Sequence, residues 1–301
     1  MNIFKKIALK IPVIKSMHDD VQVYKKGYPP GHFYSPIVSI AEVEKNQEKI
    51  FSYSSKVPGI SLNEEKQKEL LNELLKNYAD IPYFDPNRRG LRYYFNNNTF
   101  EYSDAIFLHL LIRHYAPKRI IEIGSGFSSA VMLDTNEIFF DNDIKLTFIE
   151  PYPDRLNKLL KPDEVELINL ISQNLQDVPI DIFQELGAGD ILFVDSTHVS
   201  KTGSDVNSIL FDILPILPGG VIIHFHDIFY PFEYPKEWVL GWSGFGWNEI
   251  YMVRAFLTNN EAYEILLFNT FMEEIYKDWF TEKMPLCLKN KGGSLWLKKL
   301  K

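Results

Sequence analysis

From about Ser103 to the end of the chain, short apolar runs alternate with segments whose apolar residues recur at helical spacing. Residues 119–123, 144–150, 165–171, 190–195 and 220–227 read as five strands. Helical patterns follow them in turn at 128–139, 153–160, 180–186, 205–214 and 248–257, and Ser103 and Asp104 are placed to cap a further helix reaching His114. Residues 262–269 and 293–298 supply two last strands joined by a long excursion. Strand–helix alternation of this kind implies a parallel sheet covered by helices on both faces. Residues 1–100 show helical pieces and turns with little strand, and read as a helical cap beside a catalytic domain of residues 101–301. Within the cap, Leu70, Leu71, Leu74 and Leu75 mark one helix, and Asp85-Pro86-Asn87 and Asn96-Asn97-Asn98 punctuate its end.

The first strand runs into Glu122-Ile123-Gly124-Ser125-Gly126-Phe127-Ser128-Ser129. Two glycines one residue apart, after a strand and opening a helix, allow a sharp turn and a close backbone approach to a ligand. The position of a third glycine holds Ser129, so the loop is not a full dinucleotide fingerprint. An acid, Glu150, ends the second strand.

Composition narrows the function classes. The apolar fraction is 46%, ordinary for a globular core, and the net charge of -8 argues against nucleic acid, which needs a clustered basic surface. One cysteine, Cys287, excludes an intrachain disulfide and a cysteine-rich zinc site; a reducing cytoplasm is the expected setting. No stretch approaches the roughly 20 apolar residues of a membrane span. Near the N-terminus Ile3, Phe4, Ile7, Ile11 and Ile14 recur at helical spacing among Lys5, Lys6, Lys10 and Lys15. Such a stripe reads either as a helix docked on its own domain or as an interfacial anchor on an anionic membrane.

Ligands of open parallel sheets bind beyond the carboxyl ends of the strands. Those ends carry Glu122 and the glycine loop, Glu150, then Asp195-Ser196-Thr197-His198, then His224, His226 and Asp227. Strand periodicity puts His224 and His226 on one face, with His224 one pleat deeper. His224 suits a hydrogen-bonded core position, and His226, nearer the edge, suits a general base.

The Glu-x-Gly-x-Gly loop with the second acid Glu150, together with the strand series and its final pair, resembles the class I S-adenosylmethionine-dependent methyltransferases. The segments Val194-Asp195-Ser196-Thr197-His198 and Phe225-His226-Asp227 are similar to the family-24-type members, neighbours of metal-dependent sugar O-methyltransferases. The resemblance implies a Rossmann-like seven-stranded sheet with an antiparallel last strand, here joined to the N-terminal helical cap. It implies S-adenosylmethionine as cofactor, held by Glu122, Gly124, Ser125, Gly126, Glu150 and Gln173. Glu150 would accept both ribose hydroxyls, Glu122 would favour the sulfonium or orient the loop, and Gln173 would meet the adenine. His226 and Asp195 are the expected catalytic residues. In the metal-dependent relatives the acid ending strand four and an acid pair after strand five bind magnesium. The matching set here is Asp195, Asp227 and His198, with His226-Asp227 in place of an acid pair.

The expected partners are a small-molecule or glycan acceptor, an anionic membrane surface for the N-terminal helix and a second copy of the chain. The aromatic run from Phe229 to Trp247 reads as a sugar-stacking lid or as a loop with its own small core, and Arg88, Arg89 and Arg92 as an anchor for an acidic acceptor or as a solvated run. A silent adenosyl-binding scaffold and a nicotinamide oxidoreductase are the competing classes.

Overall fold

A computed structural model describes residues 9–25, 27–52, 54, 56–84, 89–162, 164, 168–241 and 246–301. The stripe residues Ile3, Phe4, Lys5, Lys6 and Ile7, the Asp85-Pro86-Asn87 turn and Arg88 lie outside the described residues. So do Val165, Glu166 and Leu167 of the third predicted strand, and Trp242, Gly244 and Phe245.

The chain forms two compact units, Met1–Tyr53 with Pro235–Gly246, and Ser54–Tyr234 with Trp247–Lys301. The smaller holds helices α1 (Pro12–Lys25) and α2 (Ile40–Ile50). The Ser39 hydroxyl caps α2 by accepting the Glu42 N–H. On α1, Val13, Met17 and Val21 follow one another at four-residue spacing, all exposed. Residues 54–100 belong to the larger unit and include α3 (Glu64–Leu75). Among the described residues no helix is long and apolar enough to cross a membrane.

The larger unit then alternates as the apolar runs require: α4 (Tyr102–Tyr115), β1 (Arg119–Ile123), α5 (Phe127–Phe139), β2 (Lys145–Ile149), α6 (Asp154–Leu159), β3 (Asn169–Ile171), α7 (Asp181–Gln184), β4 (Ile191–Val194) and α8 (Asp205–Ser208). A π turn (Ile209–Ile213) continues α8 into α9 (Leu214–Ile216), followed by β5 (Ile222–Phe225). Helix α10 (Lys236–Gly241) belongs to the smaller unit; α11 (Glu249–Leu257), β6 (Tyr263–Phe268), α12 (Asn269–Ile275), α13 (Lys277–Lys283) and β7 (Leu295–Lys299) complete the larger one. The excursion expected between the last strands is therefore helical.

One seven-stranded sheet has the order β3-β2-β1-β4-β5-β7-β6. The pairings β1–β2, β1–β4, β2–β3 and β4–β5 are parallel, and β7 enters antiparallel to both β5 and β6. Strands β4 and β5 are buried along their whole length, which is why β4 reads as an unbroken apolar run and β5 as one broken only by His224. The chain winds outward from β1 through β2 to β3, then returns to the other side of β1 as β4. That reversal opens a crevice between the ends of β1 and β4.

Helix α4 departs from the sequence expectation in its surroundings. Ten consecutive residues, from Ser103 to Ile112, are buried, so the helix has no solvent face. Glu101 takes the N-cap position, and Ser103 and Asp104 turn inward instead of capping. The arginine anchor is also redirected. Arg92 is buried, with its guanidinium on Asp134 (2.6 Å), Glu137 (2.7 Å) and Glu164 (2.9 Å), while Asp134 also accepts the backbone N–H groups of Arg92 and Tyr93. With its donors engaged, Arg92 is a structural clamp and not an acceptor anchor.

Replacing it strands the buried Asp134 carboxylate, so Arg92→Ala is expected to cost about 3–5 kcal/mol in denaturant unfolding. A loss under 1 kcal/mol would show that the clamp carries little of the fold.

Candidate active site

The glycine loop is shaped by one close approach. Gly124 sits at φ +81°, and a Cβ there would lie 1.9 Å from the backbone oxygen of Asp195. Only glycine fits, because both the left-handed backbone and the neighbouring carbonyl exclude a side chain. The N–H of Gly124 donates to the Ile149 carbonyl (3.0 Å) and that of Asp195 to Ile123 (2.8 Å), tying together the ends of β1, β2 and β4.

Glu122 holds the loop from behind. It is fully buried and accepts the hydroxyls of Ser128 (2.5 Å) and Ser129 in the first turn of α5. The Ser129 hydroxyl in turn accepts the Gly126 N–H (2.9 Å). The residue that breaks the dinucleotide fingerprint thus staples the loop to the helix. Of the two roles expected for Glu122, the geometry carries that of orienting the loop. Burial pushes its carboxyl up to about 8 against the pull of the serine hydroxyls.

Glu150 faces the crevice. One oxygen accepts the Tyr152 N–H (2.8 Å), the other the Ser125 N–H (3.2 Å), and both keep lone pairs for further donors. With Gly124, Asp195 and Thr197 it lines a cleft of about 400 Å³. The far wall is Asn174, Leu175 and Gln176, the last donating to the Gly203 carbonyl (2.7 Å). Gln173 is exposed, its N–H engaged by Ile171, and is not part of that wall. The turn after β3 advances the wall by one residue, a shift that strand reading alone does not resolve.

At the ends of β4 and β5 lies a cluster of charge. His198 Nε2 is 3.2 Å from Asp195 Oδ1 and 3.6 Å from Asp227 Oδ2, and its Nδ1 is 2.8 Å from Glu249 Oε2. Burial opposes a charge on His198, but hydrogen bonds to Asp195 and Glu249 outweigh it and raise the ring well above the usual histidine value. His226 Nε2 lies 3.7 Å from Asp227 Oδ1. Burial works against its protonation too, yet the charges of Asp227, Asp195 and Asp104 leave it raised. Asp195 is held below the ordinary aspartate value: burial opposes this, and His226 and His198 prevail. Burial raises Asp227.

His224 is the core histidine expected one pleat deeper. It is fully buried, stacked on Phe193 at 3.8 Å, and its Nε2 meets the Ser294 hydroxyl (2.9 Å), which donates to Asp104 (2.5 Å). Burial drives its ring well below the ordinary value.

Sequence reasoning missed Glu249, Asp104 and Ser294. Glu249 begins a helix, where an acid is ordinarily read as dipole complement, and its partner lies 51 residues away. The aromatic run divides: Phe232 and Tyr230 pack on Phe268 and Phe271 as a small core, whereas Trp247 lies 4.2 Å from the His198 ring.

The magnesium expectation gains no support from this donor set. Magnesium demands six oxygen or water ligands in octahedral array. Here Asp195 and Asp227 both turn an oxygen toward one imidazole nitrogen, and no metal-competent group of three or more His, Cys, Asp or Glu occurs among the described residues. No step is therefore assigned to that ion.

Glu122 gives a pH test. Its folded value of about 8 exceeds the ordinary 4.5, so its contribution is complete below about 4.5 and is lost as pH rises through about 8. Thermal stability is expected to fall from pH 5 to 9, and Glu122→Gln to flatten that slope. Parallel curves for the two proteins would refute the assignment.

Residues 121–228 match a family model described as a methyltransferase domain, of family 24. An uncharacterised protein of Archaeoglobus fulgidus is 44% identical over 168 residues, covering 54% of this chain and 74% of that protein. Among solved structures, an S-adenosylhomocysteine-bound methyltransferase of Podospora anserina is similar at 18% identity and a TM-score of 0.45, over 82% of this chain and 100% of that one. An O-methyltransferase of Streptomyces achromogenes involved in tomaymycin synthesis, in complex with S-adenosylmethionine, matches at 13% identity and a TM-score of 0.40, over 86% and 96%. The glycine loop, Glu150 and the strand-end residues from Asp195 to Asp227 all fall within the matched span, so residues 121–228 are a methyltransferase domain, carried on the β3-β2-β1-β4-β5-β7-β6 sheet.

Proposed function

We propose that this enzyme methylates a hydroxyl group of a sugar or glycan, with His226 as the general base. The observation that carries the reading is the placement of His226 at the end of β5, its Nε2 3.7 Å from Asp227 Oδ1 and its basicity raised by surrounding carboxylates. When bound, S-adenosylmethionine supplies the methyl group and leaves as the neutral thioether. Glu150 holds the ribose hydroxyls with its spare lone pairs, and the missing Cβ of Gly124 leaves room for the ligand against the backbone. His226 takes the acceptor proton, and Asp227, 3.7 Å from Nε2, steadies the imidazolium that results. Asp195, at the cleft and 3.2 Å from His198, keeps negative charge beside the cationic sulfonium.

The acceptor class follows from charge. Asp227, Asp195 and Asp104 are the carboxylates whose charge acts on His226, so a phosphate or carboxylate on the acceptor would be repelled. A neutral polyhydroxyl compound would instead donate to those carboxylates. Arg92, the candidate anion anchor, is already engaged by acids.

The first test is calorimetric titration with S-adenosylhomocysteine alongside NAD. Micromolar binding of the former alone is expected, weakened at least roughly tenfold in Glu150→Ala as two charge-assisted bonds are lost. An unchanged affinity in that variant would remove Glu150 from the ribose site. For transfer to an accepted sugar, His226→Ala is expected to lower kcat by about 10²–10⁴ with cofactor affinity nearly unchanged. Because His226 must be neutral to act and its value is raised, the rate should climb with pH through an inflection above 6.5. A rate independent of both His226 and pH would exclude it as the base.

A further inference from the structure

Every described side chain of α1 from Pro12 to Val21 is exposed apart from the half-buried His18. At about 100° per residue, Val13, Met17, Val21 and Ile14 fall in one arc of the helix surface, with Lys15 and Asp19 opposite. Val13 is 67% and Met17 63% exposed, whereas a stripe that faces its own core is covered. A helix of this length is marginal in water by itself, so a surface that takes up the apolar arc stabilises it. We propose that α1 and the 28–34 loop form a peripheral anchor lying in the surface of an anionic lipid bilayer, apolar arc inward and lysines among the headgroups. The anchor is independent of the acceptor and of cofactor binding.

Charge selects the bilayer as the occupant. In sequence, residues 1–18 hold Lys5, Lys6, Lys10 and Lys15 and no acid, within a chain whose net charge is -8. Lys10 and Lys15 bracket the start of α1: Pro12 opens the helix, and the Lys15 N–H donates to the Ile11 carbonyl (2.9 Å). The first turn has no acid. Cations there oppose the helix dipole, so they weaken the helix in water and call for an external anion. Two copies of α1 paired stripe to stripe would bring these lysines together at like charge, whereas a sheet of anionic headgroups neutralises them. The chain after α1 adds aromatic rings. Tyr28, Phe33 and Tyr34 are exposed, Phe33 at 89%. Their loop is a fixed turn: Gly31, at φ +78°, lies against the Ser39 side chain, and its N–H donates to the Ile37 carbonyl (2.9 Å). Tyr28 stacks on His32 at 4.4 Å, and the Tyr34 N–H donates to His32 Nδ1 (3.1 Å). Aromatic side chains held outward in this way suit the headgroup level of a bilayer, where tyrosine keeps its ring in an apolar layer and its hydroxyl wet.

The test is co-sedimentation of the whole chain with vesicles of phosphatidylcholine alone and of phosphatidylcholine with roughly one-third phosphatidylglycerol. Binding is expected to the anionic vesicles alone, and to be lost at about 1 M salt, where charges are screened beyond roughly 3 Å. Val13→Asp with Met17→Asp should weaken it at least about tenfold, Lys10→Glu with Lys15→Glu by a similar factor, and Phe33→Ser about threefold. Each variant should keep the wild-type affinity for S-adenosylhomocysteine, which separates loss of the anchor from loss of the fold. No binding to anionic vesicles, equal binding to both kinds, or wild-type binding by the Val13→Asp, Met17→Asp pair would each overturn the anchor. So would a dimer in light scattering that the same pair splits, which would assign the stripe to a second copy of the chain. Should a variant not fold, the lipid selectivity and salt sensitivity of the wild type decide the matter. Failure of the wild type to bind S-adenosylhomocysteine would count against the cofactor reading and leave the vesicle result standing.

Discussion

The approach of the β1 loop to the backbone of β4 is the constraint on which the rest of this molecule depends. With no Cβ at Gly124, the loop lies directly against the Asp195 carbonyl, and the crevice at the switch point takes its shape from that contact. The same contact brings Glu150 and Asp195 onto one cleft. Behind the loop, Glu122 fixes the start of α5 through two serine hydroxyls. A turn that would otherwise explore many conformations is held in one, which lowers the ordering cost when a ligand arrives.

From that frame follows an unusual concentration of buried charge. Asp195, Asp227 and Glu249 from three elements would repel one another in a medium that screens poorly. Histidines at 198 and 226 offset them. Deeper in, the Asp104–Ser294–His224 chain anchors β7 beside β5, and a Cβ at Gly293 would lie 3.0 Å from the Asp227 Cα. The antiparallel last strand therefore does more than close the sheet. It brings glycines and a serine to the back of the active edge, where any larger side chain would displace Asp227.

How much of this was legible along the chain depended on range. Strand β1 was readable to the residue, because four of its five positions are buried and three of those are isoleucines. The glycine loop and Glu150 were readable because their spacing is local. Helix α4 was placed within a residue or so, yet its complete burial was not legible, since apolar residues covering every face leave no stripe to orient it. Helices α12 and α13 went unread because the excursion between β6 and β7 was treated as connection. The Arg92 clamp gathers acids 42 to 72 residues distant, and no local pattern distinguishes it from a solvated arginine. Glu249 was hidden for the same reason.

The placement of two histidines among carboxylates also explains why the strand-end pattern pointed toward a metal. Acids converging from adjacent strands announce a cation, but their spacing does not say whether an ion or a side chain supplies it. Glu249 holds a proton on the far nitrogen of His198 and so turns Nε2 toward the two acids.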